Sequence, residues 1–335
     1  MECPLPLGLP PLVTFAHGGG GTAMHDLIDG VFLPAFGGGD GRDAAVCEID
    51  GARVAFTTDS FVVQPLEFPG GDIGSLAVYG TVNDLAMVGA RPLYLSAGFV
   101  LEEGFPLERL RRIVGSMAAA AERAGVRIVT GDTKVIERRD GEGLIINTAG
   151  IGVVGKDVDL GPSRVVPGDA VVVSGDLGRH GMAIVGVREG LQFETVIESD
   201  VAPLAEAVQA LLGAGVEVHC LRDLTRGGLA SAANEIAAGC GREIHLIEAA
   251  IPVRDDVRGA CELLGFDPLH VANEGRFVAI VAERDAGRAC EVLRGGAVVV
   301  GEVRAAERGR VTLESAVGVT RLLDMLSGEQ LPRIC

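Results

Sequence analysis

A strand-and-helix pattern runs through the first half of this chain, stops at KDVDLGPSRVVPGD (residues 156–169), and starts again. A repeated run of this kind predicts two α/β domains rather than one large core. In the first run, DAAVCEI and RVAFTTDSFVV read as strands joined by a turn at Asp50-Gly51. GGDIGSLAVYGTVNDLAMVG reads as a helix with Asp72 as its N-cap and Ile73, Leu76, Ala77, Leu85, Ala86 and Val88 suited to burial. PLERLRRIVGSMAAAAERAG is a second helix. Pro106 starts it, Leu107, Leu110, Ile113, Val114 and Met117 form one face, and Gly125 ends it. RPLYLSAGFVLE, VRIVTGDTKVIE and LIINTAGIGVVG are further strands. The second run begins with the strand AVVVSG and alternates helices with strands as far as RVTLES. Hairpins mixed with crossovers predict α+β layers rather than a purely doubly wound sheet. The expected division is a Gly-rich segment over 1–40, domains over 41–158 and 159–317, and a mobile tail over 318–335.

The 335 residues are 48% hydrophobic, enough for two interiors, but only 4% are aromatic and none is Trp. Aliphatic side chains must therefore fill the cores. A formal charge of −17 excludes general nucleic-acid binding, which needs a basic surface, and argues against docking on anionic membrane. No apolar run approaches the ~18 residues of a membrane span, and MECPLPLGLPPLVTF lacks the basic region of a signal peptide. The expected compartment is the cytoplasm. The seven cysteines form no CxxC pair. Those at 47, 220, 240, 261 and 290 are expected to act as small core hydrophobes. Cys335 stands apart: it is the last residue, after EQLPRI.

Carboxylates fall at strand ends and loop starts: Asp43 before DAAV, Asp59 in FTTDSFVV, Asp84 in TVNDLA, Asp132 in RIVTGDTKV and Asp223 in RDLTRGGLA. Singly, each is accounted for as a turn or helix cap. Five in one chain suggest a set that holds Mg²⁺, which takes oxygen ligands and shares them with substrate phosphates. HGGGG (17–21) lacks the P-loop spacing; it reads equally as a linker or as a loop whose bare N–H groups close over phosphates. TRGG leads into a helix N-terminus, a geometry shared by anion sites and simple turns. Lys134 is either a solvated surface charge or a phosphate ligand. Glu274, before the apolar strand RFVAIV, is either a cap or a general base.

Taken in order, TTDSFVVQPLEFPGGDIGSLAVYGTVNDLAMVGARPLYLSAGFVLEEG, IVTGDTKV, INTAGIG, RDLTRGG, ANEG and the terminal PRIC resemble the hydrogenase-maturation carbamoyl dehydratases, the HypE family. The resemblance covers nearly the whole chain from His17 to Cys335. It implies two α/β-layered domains of the aminoimidazole ribonucleotide synthetase-like type, with N-terminal domains forming a shared β-barrel in a homodimer. It implies ATP and Mg²⁺ near that interface. It further implies that a carbamoyltransferase loads a carbamoyl group onto Cys335, that ATP drives its dehydration to a thiocyanate, and that an iron–cyanide scaffold complex accepts the CN. On this basis Cys335, Lys134 and Glu274 are expected to be catalytic. Gly18, Gly19, Gly20, Thr58, Asn83, Thr133 and Arg226 are expected around the ATP phosphates. Asp43, Asp59, Asp84, Asp132 and Asp223 are expected around the metal. Related synthetases carry two adjacent acids before AAV; here Arg42 precedes Asp43, so Asp40 competes with Asp43, and Asp43 is favoured.

Overall fold

The computed structural model describes residues 12–37, 39, 41–138, 143–191, 195–328 and 333–335. The N-terminal part opens with a helical stretch whose α-helical pieces are α1 (Thr22–Leu27) and α2 (Leu33–Phe36). It continues with β1 (Ala45–Ile49), β2 (Ala52–Phe61), β3 (Glu67–Phe68), β4 (Gly71–Asp72), α3 (Ile73–Met87), β5 (Ala90–Glu102), α4 (Leu107–Arg123), β6 (Arg127–Ile136) and β7 (Leu144–Val154). Its main sheet has the order β1-β2-β7-β5-β6. All neighbours are antiparallel except β5 and β6.

The helices begin and end where the sequence says they should. Asp72 caps α3 by accepting from the Ser75 N–H at 2.8 Å, and Ser75 Oγ accepts in return from the Asp72 N–H. Helix α3 is apolar on every side, and nearly all of it is buried. This fits its position: it lies under the N-terminal sheet and also meets the C-terminal part. Helix α4 is amphipathic instead, burying Ile113, Met117, Ala120 and Ala121. It ends at Gly125, whose φ of 68° suits the left-handed exit.

The C-terminal part comprises β8 (Ala170–Val173), α5 (Arg179–Arg188), α6 (Ala205–Gly213), β9 (Val218–Asp223), α7 (Gly228–Cys240), β10 (Glu243–Ile247), α8 (Asp255–Leu264), β11 (Phe277–Val281), α9 (Ala286–Leu293), β12 (Val298–Arg304), β13 (Arg310–Glu314) and β14 (Thr320–Leu322). Its sheet runs β14-β13-β10-β12-β8-β11-β9 and is mixed, with β10 and β13 parallel. The central strands β8 and β11 are buried along their whole length, because both faces are covered. Ala170, Val172, Phe277 and Ala279 pack into the core shared with α3, whereas Val171, Val173, Val278 and Ile280 pack against Leu229, Ala233 and Ile236 of α7.

Within one chain, among the described residues, neither large sheet closes into a barrel, and each keeps two edge strands; the expected barrel is one shared between two subunits. Two expectations change. Cys47 is exposed rather than a core residue, because it lies on the edge strand β1. The described end of the tail is docked: Val62 N–H donates to Cys335 O and Gln64 N–H to Arg333 O, both at 3.0 Å, and Ile334 is buried in the main core. Main-chain pairing and one apolar anchor thus hold a segment that sequence pattern alone presents as mobile.

Candidate active site

Strand β2, helix α3, the end of β9 and the turn into α7 converge on a cavity of about 260 Å³. Its lining includes Gly20, Asp43, Thr58, Asp59, Asp84, Asp223, Arg226, Glu274 and Cys335. Alternation along β2 explains part of this lining: Thr57 and Asp59 point to the α3 side, Phe56 and Thr58 to the other. Asp84 projects from α3, and Asp43 comes from the segment that leads into β1.

Asp43, Asp84 and Asp223 each bring a carboxylate oxygen within 4.8 Å of the others. Thr57 Oγ donates to Asp84 Oδ2 at 2.8 Å. Asp43 Oδ2 and Asp223 Oδ2 are buried with no hydrogen-bond partner among the described residues. Burial pushes Asp43 up to about 6; the nearby Arg222 guanidinium opposes this and Glu235 adds to it. Burial, then Asp223, Asp43 and Asp59, hold Asp84 well above the usual carboxylate range, and Asp223 is raised in the same way, first by burial and then by Asp43. Buried, mutually repelling, oxygen-only donors fit a hard divalent cation such as Mg²⁺. Asp59 sits at the same cavity, raised by burial and eased by Arg226.

On the facing side, Glu274 is buried. Its N–H donates to Asp200 Oδ1 at 3.1 Å, and its Oε1 has no partner among the described residues. Burial, reinforced by Asp223, Asp200 and Asp59, lifts its carboxyl well above the ordinary range. Burial likewise lifts the Cys335 thiol far above the usual thiol range, with Arg226 opposing and Glu274 and Asp59 adding to the rise. Arg226 also ties down the glycine run: its Nη1 donates to Gly18 O at 2.9 Å. Ser231 Oγ donates to Gly20 O at 2.9 Å. A Cβ on Gly20, whose φ is +73°, would lie 2.7 Å from Arg226, so glycine is required there by both backbone and space. Gly19 follows between these two anchors. The HGGGG segment is therefore seated on the TRGG turn as a loop, not strung out as a linker.

Other expected site residues lie elsewhere. Asp132, Thr133 and Lys134 are on exposed β6, and Lys134 pairs with Asp132. None of them lines the cavity of the same chain, so within one subunit Asp132 does not complete the set of Asp59 and Asp84. The reason is topological: β6 is the sheet edge farthest from β1 and β2. Asn83 is also corrected. Its side chain is taken up by backbone, donating to Ala202 O at 3.1 Å and Glu274 O at 3.3 Å and accepting from Leu204 N–H at 2.8 Å. It staples α3 to the C-terminal part and does not face the cavity. Arg333 Nη1 donates to Gln64 Oε1 at 3.0 Å. Asp40 lies outside the described residues.

Sequence reasoning passed over Arg222, Glu235 and His25. Arg222 bridges Asp43, at 3.5 Å, and Glu235; His25 Nε2 meets Glu235 Oε1 at 3.0 Å. The signal was present: Glu235 is the only acid in the otherwise apolar and small LASAANEIAAG helix, and a buried acid needs a partner.

Residues 41–154 match the AIR synthase related protein N-terminal domain, and residues 166–314 match the corresponding C-terminal domain. The chain is 51% identical to the carbamoyl dehydratase HypE of Azotobacter vinelandii, over 96% of this chain and 97% of that protein. Among solved structures, it is similar to a HypE–HypF complex (TM-score 0.85, 46% identity, 90% of this chain and 99% of that chain). It is also similar to a HypE in complex with ATP (TM-score 0.82, 47% identity, 94% and 98%). With both family domains matched and the likeness extending over nearly the whole of each chain, this protein belongs to the HypE family of AIR synthase related proteins.

Proposed function

We propose that this chain is an ATP-dependent dehydratase acting on a carbamoyl group carried by its own Cys335, and that the S-cyanate it forms supplies the CN ligands of the NiFe-hydrogenase iron. One observation carries this reading: the terminal thiol shares a cavity with Glu274, whose Oε1 has no partner among the described residues, with Arg226 and with the Asp43–Asp84–Asp223 cluster. The names of the relatives and the ATP complex of one of them support it.

The chemistry is the conversion of an amide oxygen into a leaving group. The oxygen of S–C(=O)–NH₂ attacks the γ-phosphorus of ATP, ADP leaves, and one N–H proton is lost. The product is S–C(=NH)–O–PO₃. Glu274 then takes the remaining N–H proton as the C–O bond breaks, phosphate departs with the former amide oxygen, and S–C≡N remains. A carboxyl lifted above its ordinary range suits a base that must also release the proton again. Arg226 faces the charge that develops on the phosphate, and Gly20 and Thr58 line its approach. Asp43, Asp84 and Asp223 are the residues that would hold Mg²⁺, with Asp59 beside them; when bound, the ion neutralises phosphate charge.

Asp132, Thr133 and Lys134 enter this scheme through a homodimer. The outer face of the N-terminal sheet exposes Phe56, Tyr94, Ile128, Ile151 and Val153, an apolar surface suited to packing on a second copy. Such packing, closing the shared barrel, would bring Lys134 of one subunit toward the cavity of the other. The domain division is kept at 41–158 and 159–317, with the terminal segment as the arm that moves. That arm leaves the cavity to be loaded by a carbamoyltransferase, for which a relative solved with HypF offers support, and again to pass CN to an iron–cyanide scaffold. The test is the intact mass of the carbamoylated protein before and after Mg-ATP. Loss of one water from the C-terminal peptide, absent without ATP, is the expected result; ATP consumed over an unchanged adduct would overturn the reading.

A further inference from the structure

We infer that His180 and Arg188, at the two ends of α5, are positioning residues that hold the terminal Cys335 in the active cavity by gripping the main chain of the two residues before it. The inference deepens the proposed function and rests on it for its meaning, though not for its test.

His180 is completely buried, with the ring of Phe68 set edge-on at 5.4 Å. Its Nε2 lies 2.8 Å from Ile334 O and its Nδ1 lies 2.8 Å from Ser199 Oγ. A carbonyl only accepts, so Nε2 carries the hydrogen, and Nδ1 accepts from the Ser199 hydroxyl. Ser199 Oγ in turn accepts from the Val201 N–H at 3.0 Å. The chain of bonds fixes the tautomer and aims one donor at the tail. From the last turn of α5, Arg188 Nη2 donates to Arg333 O at 2.8 Å and to Gln64 O at 2.7 Å. Arginine side chains on a helix lean back toward its N-terminus, which brings this guanidinium over the same tail segment. Neither residue lines the cavity that contains the thiol. The mechanism above does not use them, yet a histidine has been placed where an apolar side chain would satisfy the core.

Both contacts go to backbone carbonyls, and of the described residues 333–335 the most deeply buried is Ile334. The grip is therefore indifferent to what the sulfur carries. Thiol, carboxamide and cyanate dock alike, and the cavity alone discriminates among them.

The experiment measures how fast iodoacetamide alkylates Cys335 in the full-length protein without ATP or any partner. A glutamate-specific protease then releases Gln330–Cys335 for mass analysis, and exposed Cys47 serves as the internal standard. His180→Leu keeps the volume but loses the donor. Freeing a buried carbonyl should raise Cys335 alkylation roughly tenfold, with Cys47 unchanged. His180→Gln, which can still present an N–H, should stay within about threefold of wild type. In carbamoylated protein, His180→Leu should lower the single-turnover dehydration rate while leaving the KM for ATP unmoved. Alkylation at the wild-type rate in folded His180→Leu, or a Gln variant as reactive as the Leu variant, overturns the latch. If the Leu variant does not fold, Arg188→Met carries the same measurement, and an unchanged rate there overturns it. If the latch passes but wild type fails to lose water from its adduct, the dehydratase reading falls and the latch stands.

Discussion

Replacing Asp84 with Asn should make the cation-free protein more stable while removing its response to Mg²⁺. Three carboxylate oxygens within 4.8 Å of one another repel by about 3 kcal/mol a pair, taking 332/(εr) with an effective ε near 20. Burial adds a separate cost: with Glu235 adding and Arg222 opposing, it lifts Asp43 from 3.8 to about 6, which disfavours the ionised folded state by about 3 kcal/mol. Because the folded pKa exceeds the unfolded one, the penalty is fully present above about pH 6 and is relieved as pH falls toward 4. Asparagine at 84 keeps an acceptor for Thr57 Oγ but drops the charge. In EDTA near neutral pH, Asp84→Asn should therefore gain about 2–3 kcal/mol, a rise in Tm of roughly 5 °C. Its further gain on acidification should be smaller than that of wild type. Added Mg²⁺ should raise the wild-type Tm by mass action and scarcely move the variant. Thermal melts with EDTA or Mg²⁺, at about pH 7.5 and about pH 5.5, give all four comparisons. A destabilised Asp84→Asn, or one with the full Mg²⁺ shift, would show that the three carboxylates are not a shared cation site.

Glu274→Gln should lower single-turnover dehydration by about 100- to 10,000-fold while leaving carbamoyl loading of Cys335 intact. In wild type the same rate should climb with pH through the raised Glu274 pKa, since only the ionised carboxylate accepts a proton; stopped-flow quench with mass analysis reads both. Lys134→Ala and Cys335→Ala should each be inactive alone, yet an equal mixture, after subunit exchange, should recover about a quarter of the wild-type sites if Lys134 serves the opposite subunit. No recovery would place Lys134 in its own chain's site or outside catalysis. Gly20→Ala forces a Cβ against Arg226 in a left-handed backbone and should raise the KM for ATP about tenfold, as measured by ADP release.

Both domains were legible because burial patterns write them directly into sequence. Helix α3 announces itself by Asp72 and a mostly apolar run; α4 does so by Pro106, its Ile113–Met117 face and Gly125. Strand β9 is hidden in the sequence: VHCLRD carries His and Arg, and its C-terminal end, Arg222 and Asp223, meets the site, so polar residues mask its apolar character. The carboxylates at 43, 84 and 223 were legible as acids in apolar surroundings, but their meeting depends on how α3 lies against β9, a relation no local pattern encodes. That Asp132 lies away from the cavity of its own chain, and that Asn83 bonds backbone, have the same origin. Their motifs are distinctive, but a motif does not reveal which side of a sheet or which backbone groups a side chain will face. The docking of the chain end is illegible for another reason. The sequence there has no periodicity, and Arg333–Cys335 are held by partners about 145 to 270 residues away: His180, Arg188, Val62 and Gln64.

The docked thiol has one more property. Peroxide and other oxidants attack thiolates far faster than thiols, and in its cavity burial, reinforced by neighbouring acids, raises the Cys335 thiol and so favours its protonated form. On the proposed carrier role, docking keeps the sulfur redox-quiet, and oxidative damage to it falls in the intervals when the proposed arm is extended.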